Sequence, residues 1–144
     1  MKIPEQIDVM VSSECNARCQ MCIQEMTWKI PTGEQDPFLK GVSDYVRQYQ
    51  ELGGRRVIIT GGEPTLRPGR VLSVLDELSK YSRWDLITMY TNGSRLLKES
   101  EGETLAQKLK QAGLHYINLS THHYDLIKNN RIFGIDTGNP QIIG

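Results

Sequence analysis

The sequence predicts an α/β fold with parallel strands, and three observations carry that expectation. Short apolar, strand-sized runs alternate with segments whose apolar residues recur every three or four positions. The connections between them are short, which predicts parallel pairing with right-handed crossovers. The polar and glycine-rich residues gather in the loops that follow strands, where ligands bind in such folds; the loops that follow helices read as plain connectors.

Each element has its own warrant. The run from Ile7 to Ser12 is apolar-rich and reads as a first strand. A long loop over residues 14–35 follows and contains every cysteine together with Trp28, Pro31 and Gly33. Asp36-Pro37 is a cap followed by proline in the first turn, so a helix starts there. Leu39, Val42, Val46, Tyr49 and Leu52 recur at helical spacing until Gly53-Gly54 stops it. Val57 to Thr60 is a second strand running into Gly61-Gly62-Glu63-Pro64. A second helix begins near Pro68 and buries Val71, Leu72, Leu75 and Leu78. Leu86 to Tyr90 is a third strand ended by the turn Thr91-Asn92-Gly93. A third helix is expected from about Gly102 to Ala112, with Leu105 and Leu109 inward and Gly113 closing it. Tyr116 to Ser120 is a fourth strand, a short helix fits past Tyr124, and residues 134–144 read as irregular. Parallel strands are covered by helices, so near-continuous apolar character is expected along all four.

Composition narrows the class. A chain of 144 residues holds one domain, here residues 1–144. Lys+Arg and Asp+Glu balance at 17 each, which argues against a nucleic-acid partner, since wrapping a phosphate backbone calls for a basic excess. No apolar run approaches the ~18 residues needed to span a bilayer, so no membrane partner is expected. Met1 to Gln6 contains no apolar core of the secretory kind, and the expected location is the cytoplasm.

The three cysteines, Cys15, Cys19 and Cys22, stand as C-x3-C-x2-C in one loop. Neighbouring cysteines in odd number cannot staple distant parts of a fold, so a disulfide framework is a poor reading. Three close thiolates suit a metal or an iron–sulfur cluster in a reducing compartment. A fully protein-ligated [4Fe–4S] cluster takes four cysteines. Three leave one iron open, and an open position is where a metal does chemistry. The plainer reading is a zinc site with its fourth ligand from His115, His122 or His123. Zinc loops commonly pair their cysteines and await a distant second pair, which this chain lacks.

These residues resemble the radical S-adenosylmethionine (SAM) superfamily, whose hallmark is C-x3-C-x-φ-C after the first strand, with Met21 at φ. The similarity extends to Gly61-Gly62-Glu63-Pro64 after the second strand and Thr91-Asn92-Gly93 after the third, covering about Ile7 to Ser120. It implies a parallel-stranded partial (β/α) barrel of the radical SAM type, here ending after about four βα units. It also implies a [4Fe–4S] cluster on Cys15, Cys19 and Cys22, with the amino and carboxylate groups of SAM on the open iron. The reduced cluster would cleave SAM to a 5′-deoxyadenosyl radical that takes hydrogen from a substrate, a small molecule or peptide this sequence does not name. An external electron donor is a further implied partner.

The resemblance also assigns side chains. Backbone carbonyls at Gly61 and Gly62, with Glu63 and Pro64, would receive the SAM ammonium, the glycines allowing close approach and the glutamate acting as a charged acceptor. Met21 would pack on adenine or shield the cluster. Asn92 would donate to the SAM carboxylate, although Asn-Gly is also ordinary turn chemistry. Ser120 would contact the ribose or methionine moiety. His122 and His123 lie on the same rim and are candidates for acid–base work or contact with SAM or substrate; a solvated loop pair is the plainer reading. Trp28 would cover the cluster or simply pack its loop. Arg55 and Arg56 fall on the opposite rim.

Length then becomes informative. A βα unit takes about 30 residues, and the family's later strands with their Gly-x-Ile-x-Gly motif are not visible. Gly134 to Gly138 is only superficially similar. The chain is therefore expected to be the N-terminal part of a longer enzyme, or a compact form completed by a partner such as a second copy. The rival from another class is a non-catalytic iron–sulfur or zinc-binding module. In either case Tyr116, Ile117 and Leu119 are expected at an open sheet edge.

Overall fold

The structure is a computed structural model and describes residues 2–19, 21, 22, 38–135 and 137. Trp28, Pro31, Gly33, Asp36-Pro37 and, from the Gly134–Gly138 comparison, Asp136 and Gly138 lie outside the described residues.

Four parallel strands form one sheet in the order β1-β2-β3-β6, with β1 at Ile7–Met10, β2 at Arg56–Thr60, β3 at Leu86–Thr91 and β6 at Tyr116–Leu119. The register places Val9 beside Ile59, Ile59 beside Met89, and Met89 beside Ile117. This row belongs to an apolar core with Val42 and Val46 of helix α1 (Phe38–Glu51), Val71, Val74, Leu75 and Leu78 of α2 (Pro68–Ser79), and Leu109 of α3 (Leu105–Gln111). At α2 the buried set differs from expectation: Val74 is buried and Leu72 is only partly covered.

The other face of the sheet corrects the expectation of strands apolar throughout. Asp8, Ile58, Thr88 and Tyr116 lie in one lateral row, and Met10 pairs Thr60 while Tyr90 pairs Asn118. Asp8, Met10, Tyr90, Tyr116 and Asn118 are exposed, and on this face only the central Ile58 of β2 and Thr88 of β3 are buried. The reason is geometric. Helices α1, α2 and α3 pack on the outer face, and among the described residues most of the inner face of the partial barrel is left open. That inner face leads to the candidate site.

A second correction concerns the approach to the third helix. Gly102 to Thr104, expected to open that helix, belong instead to a two-stranded antiparallel hairpin, β4 at Glu99–Ser100 and β5 at Glu103–Thr104. Glu101 and Gly102 both take positive φ, 59° and 81°, as a two-residue hairpin turn demands. The helix begins at Leu105, where the Thr104 side chain accepts from Gln107 N–H and the Gln107 side chain reaches back to the Thr104 N–H. A final helix, α4 at Leu126–Phe133, starts at Asp125, whose side chain accepts from Lys128 N–H, and ends on Gly134 in the left-handed region.

Candidate functional site

Strand ends set the site. β1 delivers the cysteine loop, β2 the Gly61–Pro64 turn, β3 the Thr91–Gly93 turn and β6 Ser120, all at the carboxyl end of one parallel sheet. A cavity of about 440 Å³ opens there, lined by Cys15, Cys19, Cys22 and Met21 from the first loop. Gly61, Gly62, Glu63, Asn92, Ser120 and His122 complete most of its wall. Pro64 is buried in a short 3-10 turn, Pro64–Leu66, behind the wall. His123 is turned to its own loop, where Nδ1 accepts from Asp125 N–H. A larger open hollow at the opposite rim, near Tyr49, Arg55 and Arg56, holds no cysteine.

The cysteine loop is held by backbone contacts that explain the two glycines. Gly62 N–H donates to Ser12 O at 2.8 Å and Glu63 N–H to Glu14 O at 2.7 Å. A Cβ on Gly61 would lie 2.4 Å from Ser12 O, and one on Gly62 would lie 2.1 Å from Glu14 O. Gly61 also sits at φ +152°. The bare backbone thus admits the stem of the cysteine loop as well as facing the cavity. Arg67 reinforces the join with a two-pronged contact, Nε to Glu14 Oε2 at 2.8 Å and Nη2 to Glu14 Oε1 at 2.6 Å, which holds the Glu14 carboxyl below the usual range.

Glu63 is 1% exposed and its carboxylate is well supplied with donors. Oε1 accepts from Thr65 N–H, Thr65 Oγ1 and Thr91 Oγ1, and Oε2 accepts from Asn92 N–H at 2.8 Å. A buried carboxylate without such donors would carry a large desolvation cost. Asn92, 5% exposed, donates through Nδ2 to Asn16 Oδ1 and accepts at Oδ1 from Ser94 N–H. Among the described residues, one lone-pair site on Glu63 Oε2 and one hydrogen on Asn92 Nδ2 remain beyond these bonds.

Among the described residues no disulfide involves Cys15, Cys19 or Cys22. Burial pushes the Cys15 and Cys19 thiols above their ordinary value; at Cys15 the Ala17 N–H partly offsets this. Among the described residues no three His, Cys, Asp or Glu side chains already stand as a ready metal cage. The donor set nonetheless fits an iron–sulfur cluster: three thiols of one loop border one cavity with room for a group much larger than a single ion. It fits zinc less well. His115 lies at the opposite end of β6, where Nδ1 accepts from Ile87 N–H, and His123 does not reach the cavity, so His122 alone of the three could complete such a site.

Several wall residues escaped sequence reasoning. Thr60 and Tyr90 belong to the inner face that the alternation of β2 and β3 defines, so the period-two pattern carried a usable signal. Phe133 comes from α4, packs its ring 4.7 Å from that of His122, and accepts through its carbonyl from Arg18 N–H at 2.7 Å. No local pattern brings α4 to the cysteine loop. Among the described residues, no helix is long and apolar enough to cross a membrane.

Comparison with known proteins agrees with this geometry. A probable GTP 3',8-cyclase of Thermococcus kodakarensis is 36% identical over 128 residues, which cover 89% of this chain and 38% of the relative. A GTP 3',8-cyclase of Helicobacter pylori is 31% identical over 134 residues, covering 93% of this chain and 39% of the relative. One from Petrotoga mobilis is 36% identical over 112 residues, 78% of this chain and 32% of that protein. The chain thus spans less than two-fifths of the length of these curated relatives. Residues 9–140 match the family model of the radical SAM superfamily, whose cofactors are a [4Fe–4S] cluster and SAM, and the chain belongs to that superfamily.

Proposed function

We propose that residues 1–144 form one radical SAM core domain that holds a [4Fe–4S] cluster on Cys15, Cys19 and Cys22 and SAM in the adjoining cavity. The observation that carries this reading is a single cavity bordered by all three thiols, Gly61, Gly62, Glu63 and Asn92. When bound, the two cofactors supply one-electron reductive cleavage of the sulfonium and hydrogen-atom abstraction from a substrate.

The chain's own residues bind, orient and exclude water. The remaining acceptor site on Glu63 Oε2 suits an ammonium, and the remaining Asn92 amide hydrogen suits a carboxylate. The Ser120 hydroxyl, on the cavity wall just past β6, is placed for a ribose or a methionine moiety. Met21 lines the cavity yet is 53% exposed, so a flat apolar ring has a surface to cover. The His122–Phe133 ring pair closes the wall beside Ser120 against water.

The finer reading is that the substrate is GTP, supported by the names of the relatives, with an external one-electron donor and a reducing compartment, the cytoplasm, keeping the thiols reduced. Anaerobic reconstitution with iron and sulfide, then reduction with SAM and GTP, tests both levels. The expected result is cluster absorption, 5′-deoxyadenosine release and GTP consumption. Stoichiometric zinc without a cluster overturns the core reading. Cleavage of SAM with GTP untouched keeps that reading and removes GTP.

A further inference from the structure

Asn16 lies inside the cysteine motif, between Cys15 and Cys19, and its side chain crosses to a different loop. Its Nδ2 donates to Ser94 Oγ at 3.0 Å and its Oδ1 accepts from Asn92 Nδ2 at 3.0 Å. The amide orientations are fixed by chemistry. Ser94 N–H can only donate, so the Asn92 atom facing it at 3.0 Å is Oδ1. Asn92 therefore presents Nδ2 to Asn16, and Asn16 in turn presents Oδ1 to Asn92 and Nδ2 to Ser94. Through Asn92 N–H the network continues to Glu63 Oε2, and through Glu63 Oε1 to Thr65 and Thr91. One set of hydrogen bonds thus joins the cysteine loop, the Gly61–Pro64 turn and the Thr91–Ser94 turn.

We propose that Asn16 is a positioning residue, bracing the Cys15 limb of the cysteine loop against the β3 turn so that the thiols and the SAM-facing groups keep one geometry. It acts through Asn92 and Ser94 rather than by touching a cofactor. The consequence for SAM rests on the function proposed above; the brace itself does not. Linked polar groups of this kind are strengthened by their neighbours and weakened together when one is removed. The joined segments are 76 and 78 residues apart in sequence, so no local turn can substitute for the link.

Ser94→Ala is the informative variant, because it cuts one arm of the brace without altering the cysteine loop. In the cofactor-free protein, Arg18 N–H donates to Phe133 O and its hydrogen exchange reports opening of the loop. Ser94→Ala and Asn16→Ala are each expected to speed exchange at Arg18 by about five-fold, with amides in the middle of α1 unchanged. The double variant is expected to add little to either. In reconstituted protein, both variants are expected to weaken SAM binding by about five-fold, read by the SAM-induced change in the electron paramagnetic resonance of the reduced cluster. Unchanged exchange at Arg18 in Ser94→Ala overturns the brace, and this holds even if Asn16→Ala fails to fold. Faster exchange with unchanged SAM binding in loaded variants overturns its role toward the cofactor. Failure of the unsubstituted protein to load iron overturns the proposed function and leaves the exchange result standing.

Discussion

Gly62 comes so near the cysteine loop that a methyl group in its place would lie 2.1 Å from Glu14 O and 2.8 Å from Ser13 O. Both atoms are backbone, so no side chain can swing aside to relieve the overlap. Gly62→Ala is expected to destabilise the protein by about 1–3 kcal/mol and to reduce the iron retained after reconstitution, since the displaced segment leads directly into Cys15. Gly69→Ala is the matching control. A Cβ there meets nothing within 4 Å, so the same chemical change should leave stability equal or slightly raised. Parallel thermal melts and iron determinations check the pair; equal melting of both variants would remove the steric account. The contrast shows what a motif can and cannot tell. Two glycines after a strand announce that something approaches the backbone, but only the register of β1 against β2 reveals that the stem of the cysteine loop is one of the things approaching. Asn92 carries a similar lesson. Its type suited either a turn or a ligand contact, and the structure commits most of its amide to Asn16 and Ser94.

Helices α1 and α2 are joined by the largely covered Glu77, whose carboxylate accepts from Ser43 Oγ at 2.9 Å and from Lys80 Nζ at 2.5 Å. The Lys80 hydrogen bond, with a smaller part from Ser43, holds the Glu77 carboxyl below its ordinary value of 4.5. A carboxyl depressed in the folded state contributes stability that is complete above the unfolded value and is lost as pH falls through the folded one. Glu77 therefore adds to stability at neutral pH and loses that contribution below about pH 4.5, and Glu77→Gln should flatten this part of the profile. Urea midpoints measured from pH 7 down to pH 3 check it; parallel profiles for the two proteins would contradict it. The contribution is small because Lys80 is largely in water. At this scale the helices were readable wherever apolar spacing persisted, as Val42, Val46 and Tyr49 show. The hairpin before α3 was not read, although Glu101-Gly102 and the Thr104-x-x-Gln107 cap together spell a turn and then a helix start. Helical spacing from Leu105 onward was extended backward over residues whose own preference was for a turn.

At the scale of the whole molecule, and among the described residues, four strands make a sheet with α1, α2 and α3 on one face, and neither β1 nor β6 carries a further strand on its outer edge. Such an edge presents unpaired N–H and C=O groups and invites pairing with another chain. Exposure is greatest at β6, where Tyr116 is 65% exposed on the inner face and Asn118 is also open. Ile117 and Leu119 pack partly against the core instead, so the edge is half-anchored and regular enough to act as a template. A chain of 144 residues with this edge is expected to associate with itself as concentration rises, in a manner set by strand pairing rather than by charge, since its formal net charge is zero. Tyr116→Lys places an inward-pointing charge on the exposed face of that strand, a device that discourages edge pairing while leaving the outer-face contacts of Ile117 intact. Sedimentation velocity across a concentration series should therefore show the unsubstituted chain moving to larger species and Tyr116→Lys remaining smaller, with the same helical circular dichroism in both. A single monomeric species for the unsubstituted chain at every concentration would show that the β6 edge is protected by something other than a neighbouring strand.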